Sequence, residues 1–198
     1  RHGETQANRE KRFAISGDIP LTELGRQQAR QAAGRIAMLF QPQRIFSSSF
    51  RRARETGEII GEVLDLPVES LEGIQERDLG ILKGELYGYL PVVAKASKDY
   101  DPARFWQWRP EGGESHEDVQ IRMVSALQRV RHDYPDQQIL IVSHGAAIRS
   151  FCAHLANRWE GVHPLDNCGI VVLDHQGGEW AAPVVMEQSD YLAEAETR

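Results

Sequence analysis

Hydrophobic residues recur at intervals of three and four along four stretches of the chain, and this spacing predicts amphipathic helices. The predicted helices cover residues 22–40, 51–66, 114–134 and 144–157. Thr22 and Ser115 stand where N-caps are expected, and Asp118 follows Ser115 at capping-box spacing. A shorter helical piece is expected near 86–98.

Short apolar runs between these helices predict β-strands. The predicted strands cover residues 44–49, 67–70, 73–76 and 137–143, with a closing hairpin formed by 168–174 and 179–187. Within 137–143, polar residues bound a continuous apolar run at 139–142, which is typical of a central strand.

Strands that alternate with helices indicate an α/β fold. We expect a three-layer α/β/α sandwich whose central sheet is mostly parallel, with an antiparallel hairpin at its edge. Residues 80–112 are irregular and rich in Gly, Pro and aromatic residues, so they are expected to form a helical, cap-like insertion. A chain of 198 residues with 41% hydrophobic content fits one domain over residues 1–198. We also expect a first strand of roughly five to ten apolar residues upstream of Arg1.

The charge of the chain narrows the range of partners. A net charge of −6 argues against nucleic acid and against an anionic membrane surface, because both require clustered basic residues. The two cysteines, Cys152 and Cys168, are expected to be free thiols. No apolar run approaches the roughly 20 residues of a membrane span, and no signal peptide is visible. The sequence therefore predicts a cytoplasmic protein.

Three junctions between a strand and a helix carry the chemistry. They read RHGE, SSSFRRA and VSHGAA. Because ligand sites in open α/β sheets form beyond the carboxyl ends of the strands, we expect His2, Arg52 and His144 to converge there, together with Arg1. Such a basic pocket in an acidic protein suits a phosphate group.

Five motifs in this order resemble the histidine phosphatase superfamily in its phosphoglycerate-mutase-like branch. They are RHGETQAN, SSSFRRARET, QERDLG, GGES and VSHGAAIR. The resemblance implies that His2 is the nucleophile that becomes phosphohistidine. It also implies that Arg1, Arg52 and His144 hold the phosphoryl oxygens and that Glu76 is the general acid. Further candidate contacts with the substrate are Thr5, Asn8, Gly17, Arg77 and Gly145.

The chemistry of these residue types agrees with the implied roles. A neutral imidazole is a nucleophile near pH 7, and a carboxyl group close to a phosphate dianion can keep a proton for the leaving oxygen. Two arginines and a second histidine can neutralise the phosphoryl oxygens. We therefore expect neither a metal nor a cofactor.

Phosphatase and mutase members of this family share the nucleophile, so the surrounding residues decide between them. Ala146, Leu79 and Tyr87 stand where the resembled mutases have an Asn, a Tyr and a Lys. Because a mutase must hold a second anionic group, the loss of these polar residues favours hydrolysis. Arg77 is kept, which leaves the mutase open as an alternative.

The sequence disfavours two other classes of function. A non-catalytic phosphoryl-ligand binder would have lost the nucleophile or the acid, and both are present. A metal site built from His2, His144 and Glu76 would place a cation beside Arg1 and Arg52, which repel it.

The aromatic residues of the insertion are expected to cover the site, or alternatively to pack into a small core of their own. They are Tyr87, Tyr89, Trp106 and Trp108. The expected partner is a small phosphorylated substrate, without nucleic acid or membrane. Assembly into a homodimer is left open.

Overall fold

The computed structural model describes residues 1–176, 179–180 and 182–187. Its helices are α1 (Gln6–Arg9), α2 (Glu23–Leu39), α3 (Arg51–Leu64), α4 (Tyr89–Ala96), α5 (His116–Asp133) and α6 (Gly145–Ala156). Its strands are β1 (Arg44–Ser47), β2 (Val68–Ser70), β3 (Ile139–Val142), β4 (Ile170–Val172), β5 (His175–Gln176), β6 (Glu179–Trp180) and β7 (Val184–Met186). Within the described residues, no helix combines the length and apolar character that spanning a membrane requires. The cytoplasmic location stays a prediction.

Three parallel strands form the central sheet in the order β2-β1-β3. Ile45 of β1 pairs with Val68 on one side and Leu140 on the other. Within the described residues β1 is therefore the middle strand of this three-stranded sheet, and β3 lies on the side that the RHG segment approaches. The backbone N–H of His2 donates to the carbonyl of Ser143, 3.0 Å away, so the first residues lie beside the end of β3.

Helices cover both faces of the sheet, because side chains along each strand alternate between them. On one face Ile45 and Val142 pack with α2 and α3 in a buried cluster. On the other face Ile141 packs against a cluster built by α5 and α6 around Met123 and Phe151. This arrangement confirms the three-layer α/β fold with a mostly parallel sheet.

Two predicted extended segments lie outside the central sheet: the closing hairpin, which forms, and residues 73–76, which do not form a strand. β4 and β7 pair antiparallel, as the predicted hairpin requires, but among the described residues they form a two-stranded sheet of their own and are not joined to the edge of the central sheet. Its turn at Gly177 and Gly178 lies outside the described residues. Residues 73–76 form no strand, because they turn away from the sheet and bury Ile74 against α5.

The insertion at 80–112 has a core of its own. Leu82, Ala94 and Trp108 are buried together, and Phe13 packs against them. Trp106 stacks on Trp159 with ring centroids 6.0 Å apart. The tryptophans therefore serve packing, which is the alternative the sequence left open.

A close approach of two backbones fixes the RHG segment against α2. A Cβ atom on Gly25 would lie 2.2 Å from the carbonyl oxygen of Glu4, and one on Gly3 would lie 2.4 Å from the carbonyl oxygen of Gly25. Only glycine allows this contact. The contact sets the position of His2, which precedes Gly3.

We expect Gly25→Ala to destabilise the fold by about 1–3 kcal/mol, because the added methyl group overlaps backbone that cannot rotate away. Gly34→Ala on the same helix is the matched control, since a Cβ atom there meets nothing within 4 Å. That change should stabilise the fold by about 0.5–1 kcal/mol. Urea unfolding measures both, and equal effects of the two changes would contradict the close contact.

Candidate active site

A cavity of about 390 Å³ opens at the carboxyl ends of the parallel strands. Nine of the ten residues predicted for the site line it: Arg1, His2, Thr5, Asn8, Gly17, Arg52, Glu76, Arg77 and Gly145. The tenth, His144, is fully buried behind the lining residues, beside His2.

Hydrogen bonds on both sides define the protonation of His2. Its Nδ1 lies 2.7 Å from the carbonyl oxygen of Gly3, which can only accept, so Nδ1 carries the proton. The Nε of Arg52 donates to His2 Nε2 at 3.2 Å, so Nε2 carries the lone pair. Burial, followed by the charges of Arg52 and Arg1, holds the pKa of His2 well below its ordinary value. His2 is therefore a neutral imidazole whose Nε2 faces a guanidinium group.

The two arginines of the site are held by backbone groups. Arg52 lies in the first turn of α3 and is 3% exposed, and burial lowers its pKa. Arg1 donates through Nη1 to the carbonyl oxygen of Leu165. A Cβ atom on Gly145 would lie 3.4 Å from Arg1 Nε, so the glycine leaves room for Arg1 across the start of α6. Among the described residues, neither arginine forms an ion pair with a carboxylate.

His144 lies immediately before α6 and contacts both neighbouring motifs. Its ring centroid is 5.1 Å from that of His2, and its Nε2 lies 2.8 Å from the Oγ of Ser48. Burial, followed by the charge of Arg52, holds its pKa well below the ordinary value. Its Nδ1 is buried and has no hydrogen-bond partner among the described residues.

Glu76 is held at the amino-terminal end of α6. Its Oε1 accepts the backbone N–H groups of Arg77 at 2.9 Å, Ala146 at 3.2 Å and Ala147 at 3.2 Å. A helix amino terminus favours a carboxylate through these unpaired N–H groups and its dipole. The start of α6 therefore positions both residues: His144 directly precedes the helix, and Glu76 is bound by its first backbone N–H groups.

Comparison with known proteins identifies the family of the chain. Residues 1–187 match the protein family described as the histidine phosphatase superfamily, branch 1. The chain belongs to the histidine phosphatase superfamily. This confirms the resemblance seen in the sequence.

Three relatives show how the family members vary. Phosphoglycerate mutase-like protein 4 of Arabidopsis thaliana is 31% identical, over 93% of this chain and 81% of its own length. Uncharacterized phosphatase PhoE of Bacillus subtilis is 32% identical, over 79% of this chain and 75% of its own length. A mycobacterial glucosyl-3-phosphoglycerate phosphatase, solved with VO3, is 29% identical with a TM-score of 0.77, covering 93% of this chain and 94% of that one. These likenesses support an enzyme of the phosphatase or mutase type.

Thr5 and Asn8 hold the loop that follows the histidine phosphatase RHG motif. Together they form the capping box of α1, in which Asn8 Oδ1 accepts both the backbone N–H and the Oγ1–H of Thr5. The Nδ2 of Asn167 donates to the carbonyl oxygen of His2 at 3.1 Å and to Asn8 Oδ1 at 3.3 Å. Asn167 joins the site from a distant part of the chain, and its link to the RHG loop was missed in the sequence.

Two predicted substrate contacts of the histidine phosphatase site have packing roles. Arg77 is buried, and its guanidinium donates to the carbonyl oxygens of Glu114 and Trp108, which ties the insertion to the cavity. Burial lowers the pKa of Arg77 to about 10. A Cβ atom on Gly17 would lie 2.6 Å from the ring of Phe50, so this position requires a small residue.

The cavity of this histidine phosphatase is also lined by basic residues that were not predicted from the sequence. They are Arg12, Lys83 and Arg149, with the imidazole of His116 nearby. Arg149 lies over the Trp159 ring at 5.8 Å and donates to the carbonyl oxygen of Val162. Because Arg149 is one helical turn after Gly145, the helix periodicity could have identified it.

The lining is strongly cationic for an acidic protein. Among the described residues, six Arg or Lys side chains line the cavity against two carboxylates, Glu76 and Asp78. No group of three His, Cys, Asp or Glu residues suited to holding a metal ion occurs in the described part of the chain. The cavity therefore favours an anionic ligand.

The buried histidines make the stability of the fold depend on pH. Burial lowers the pKa values of His2, His116 and His144 well below the ordinary value of 6.5. Below pH 6.5 these histidines become protonated in the unfolded chain but stay neutral in the folded protein. Because the unfolded state then binds more protons, the free energy of unfolding decreases as pH falls. The unfolding constant should rise up to about tenfold per pH unit for each of these histidines.

Urea unfolding at several values from about pH 7 to about pH 5 measures this effect. His116→Gln should flatten the dependence, while His132→Gln at an exposed position of the same helix serves as the control. A pH slope that His116→Gln and His132→Gln change equally would contradict the account.

Proposed function

We propose that this protein is a metal-independent phosphomonoester hydrolase that acts through a phosphohistidine intermediate on a small phosphorylated metabolite. The observation that carries the proposal is the fixed tautomer of His2, whose Nε2 lone pair lies beside the Arg52 guanidinium. The cavity of about 390 Å³ is within the range of small-molecule sites.

In the first step, the Nε2 lone pair of His2 attacks the phosphorus and the bond to the ester oxygen breaks. The guanidinium groups of Arg1 and Arg52 neutralise the charge on the phosphoryl oxygens. The Nδ1–H bond to Gly3 keeps the imidazole oriented and disperses the positive charge that the phosphorylated ring gains. Nothing in this step needs a metal, since the charge is met by fixed cations.

Proton transfer is assigned to Glu76. As an acid it gives its proton to the leaving alkoxide, and as a carboxylate it then takes a proton from the water that attacks the phosphohistidine. The products are the alcohol, inorganic phosphate and free His2, so the cycle closes. The backbone N–H groups of Arg77 and of the start of α6 hold the carboxylate in place between the two steps.

The residues that line the cavity around His2 and Glu76 favour hydrolysis over phosphoryl transfer to a second substrate. Leu79 and Ala146 line the cavity with apolar side chains. Tyr87 accepts a hydrogen bond from Asn8, and Arg77 is bound to two backbone carbonyls. The mutase alternative rests on Arg77 and on the mutase names of several relatives, among them phosphoglycerate mutase-like protein 4.

We expect His2→Ala to lower turnover of every accepted phosphomonoester by roughly 10⁴-fold or more, because no other group can form the intermediate. His132→Ala is the control, an exposed histidine on α5. The assay is phosphate release from a panel of phosphomonoesters in the presence of a chelator, together with phosphoglycerate isomerisation. Isomerisation faster than hydrolysis would favour the mutase, and loss of activity in the chelator would reject metal independence.

Replacing the acid should matter most for poor leaving groups. We expect Glu76→Gln to slow hydrolysis of alkyl phosphates by roughly 10²- to 10⁴-fold. The effect on p-nitrophenyl phosphate should be much smaller, because its leaving group needs no proton. Glu62→Gln, at an exposed position of α3, is the control. Equal losses on both substrates would remove Glu76 from the role of acid.

A further inference from the structure

Ser48 is a buried residue between β1 and α3 whose hydroxyl contacts His144. Its backbone N–H donates to the carbonyl oxygen of Val142 at 3.0 Å, which ties it to the neighbouring strand. Its Oγ lies 2.8 Å from His144 Nε2 and accepts the backbone N–H of Phe50 at 3.3 Å. These are the two partners of the Oγ among the described residues, and Ser48 is 0% exposed.

The protons in this cluster can be arranged in two ways while His144 is neutral. In the first, His144 Nε2–H donates to Ser48; the serine proton then has no acceptor, and the buried Nδ1 lone pair has no donor. In the second, the Ser48 hydroxyl donates to Nε2, and the proton of His144 sits on Nδ1. The second arrangement leaves one unsatisfied group, the Nδ1–H, whereas the first leaves two. Since each buried polar group without a partner is costly, the second is favoured.

We propose that Ser48 is a positioning residue that holds neutral His144 with its proton on Nδ1, so that Nδ1–H is a ready donor for a phosphoryl oxygen. The donor role rests on the proposed function, whereas the tautomer does not. A donor without a protein partner, 5.1 Å from the nucleophilic ring as measured between centroids, is the group that an oxygen on phosphorus bound to His2 would satisfy.

This arrangement gives the two histidines different roles through different partners. Both carry the proton on Nδ1, but His2 Nδ1–H donates to the Gly3 carbonyl, which leaves the lone pair on Nε2, where it faces Arg52, for the attack. His144 has its Nε2 taken up by Ser48, which leaves Nδ1–H free to donate. A donor fixed in advance stabilises the transition state without reorganisation.

The tautomer can be read directly by long-range proton–nitrogen correlation NMR on protein labelled with 15N-histidine. Signals of His144 are identified by their loss in His144→Asn. At neutral pH the wild type should show a protonated Nδ1 and a bare Nε2 at His144. A protonated Nε2 would overturn the proposal.

Binding of inorganic phosphate tests the donor role. The Nδ1–H signal of His144 should shift on titration with phosphate, because the anion supplies the missing acceptor. A phosphate titration that moves the His2 signals and leaves His144 unchanged would overturn this part of the proposal.

The variants separate positioning from simple packing. Ser48→Ala should allow the Nε2–H tautomer to appear and lower kcat by roughly tenfold to hundredfold, less than the loss of a whole donor, with little change in KM. Ser49→Ala is the matched control, because Ser49 is the exposed neighbour. A Ser48→Ala protein that keeps the wild-type tautomer and kcat would overturn the proposal.

The outcome for Ser48 is distinguishable from the outcome for the enzyme. If no phosphomonoester is hydrolysed, the proposed function fails, while the wild-type NMR spectrum still decides the tautomer. If Ser48→Ala does not fold, the wild-type spectrum and its phosphate titration remain as the test.

Discussion

The structure depends on keeping two imidazoles neutral beside two guanidinium groups. His2 and His144 are buried next to Arg52, whose positive charge opposes protonation of either ring. A protonated His2 would lose the lone pair that faces Arg52 Nε. The same arrangement leaves excess positive charge in the interior, and in the proposed function the phosphoryl group of the substrate compensates this charge. The pH dependence of stability and the proposed reactivity therefore share one cause, which is the burial of two imidazoles beside guanidinium groups.

The scaffold meets this constraint by bringing three backbone segments together at one edge of the sheet. The glycine contact between the RHG segment and α2 sets the depth of His2. The bond from His2 N–H to Ser143 aligns that segment with the end of β3. At the start of α6, the backbone N–H groups of Ala146 and Ala147 donate to the carboxylate of Glu76 and so hold it beside the cavity. Each of these contacts involves main chain, which fixes the three segments relative to one another.

The sequence predicted the helices, the parallel sheet and the convergence of His2, Arg52 and His144, because helical periodicity and the strand-end rule are local signals. It did not predict the anchoring of Glu76, since Ala146 is 70 positions away and a bond over that distance leaves no periodic pattern. The contact of Asn167 with His2 was missed for the same reason. The apolar run of β3 indicates burial, but it carries no information on the order of the strands, so the sequence did not predict that β1 pairs with both β2 and β3. The single-domain organisation and the roles of individual site residues stay predictions.

The most direct test of the account is the position of the phosphoryl group on the enzyme. Rapid acid-free quenching during turnover, followed by mass spectrometry and phosphorus NMR of the trapped protein, locates the modified atom. The account predicts one acid-labile phosphoryl group on Nε2 of His2, because Nδ1 is bound to the Gly3 carbonyl oxygen. Phosphate on Nδ1, phosphate on another residue, or turnover without any phosphoenzyme would contradict it.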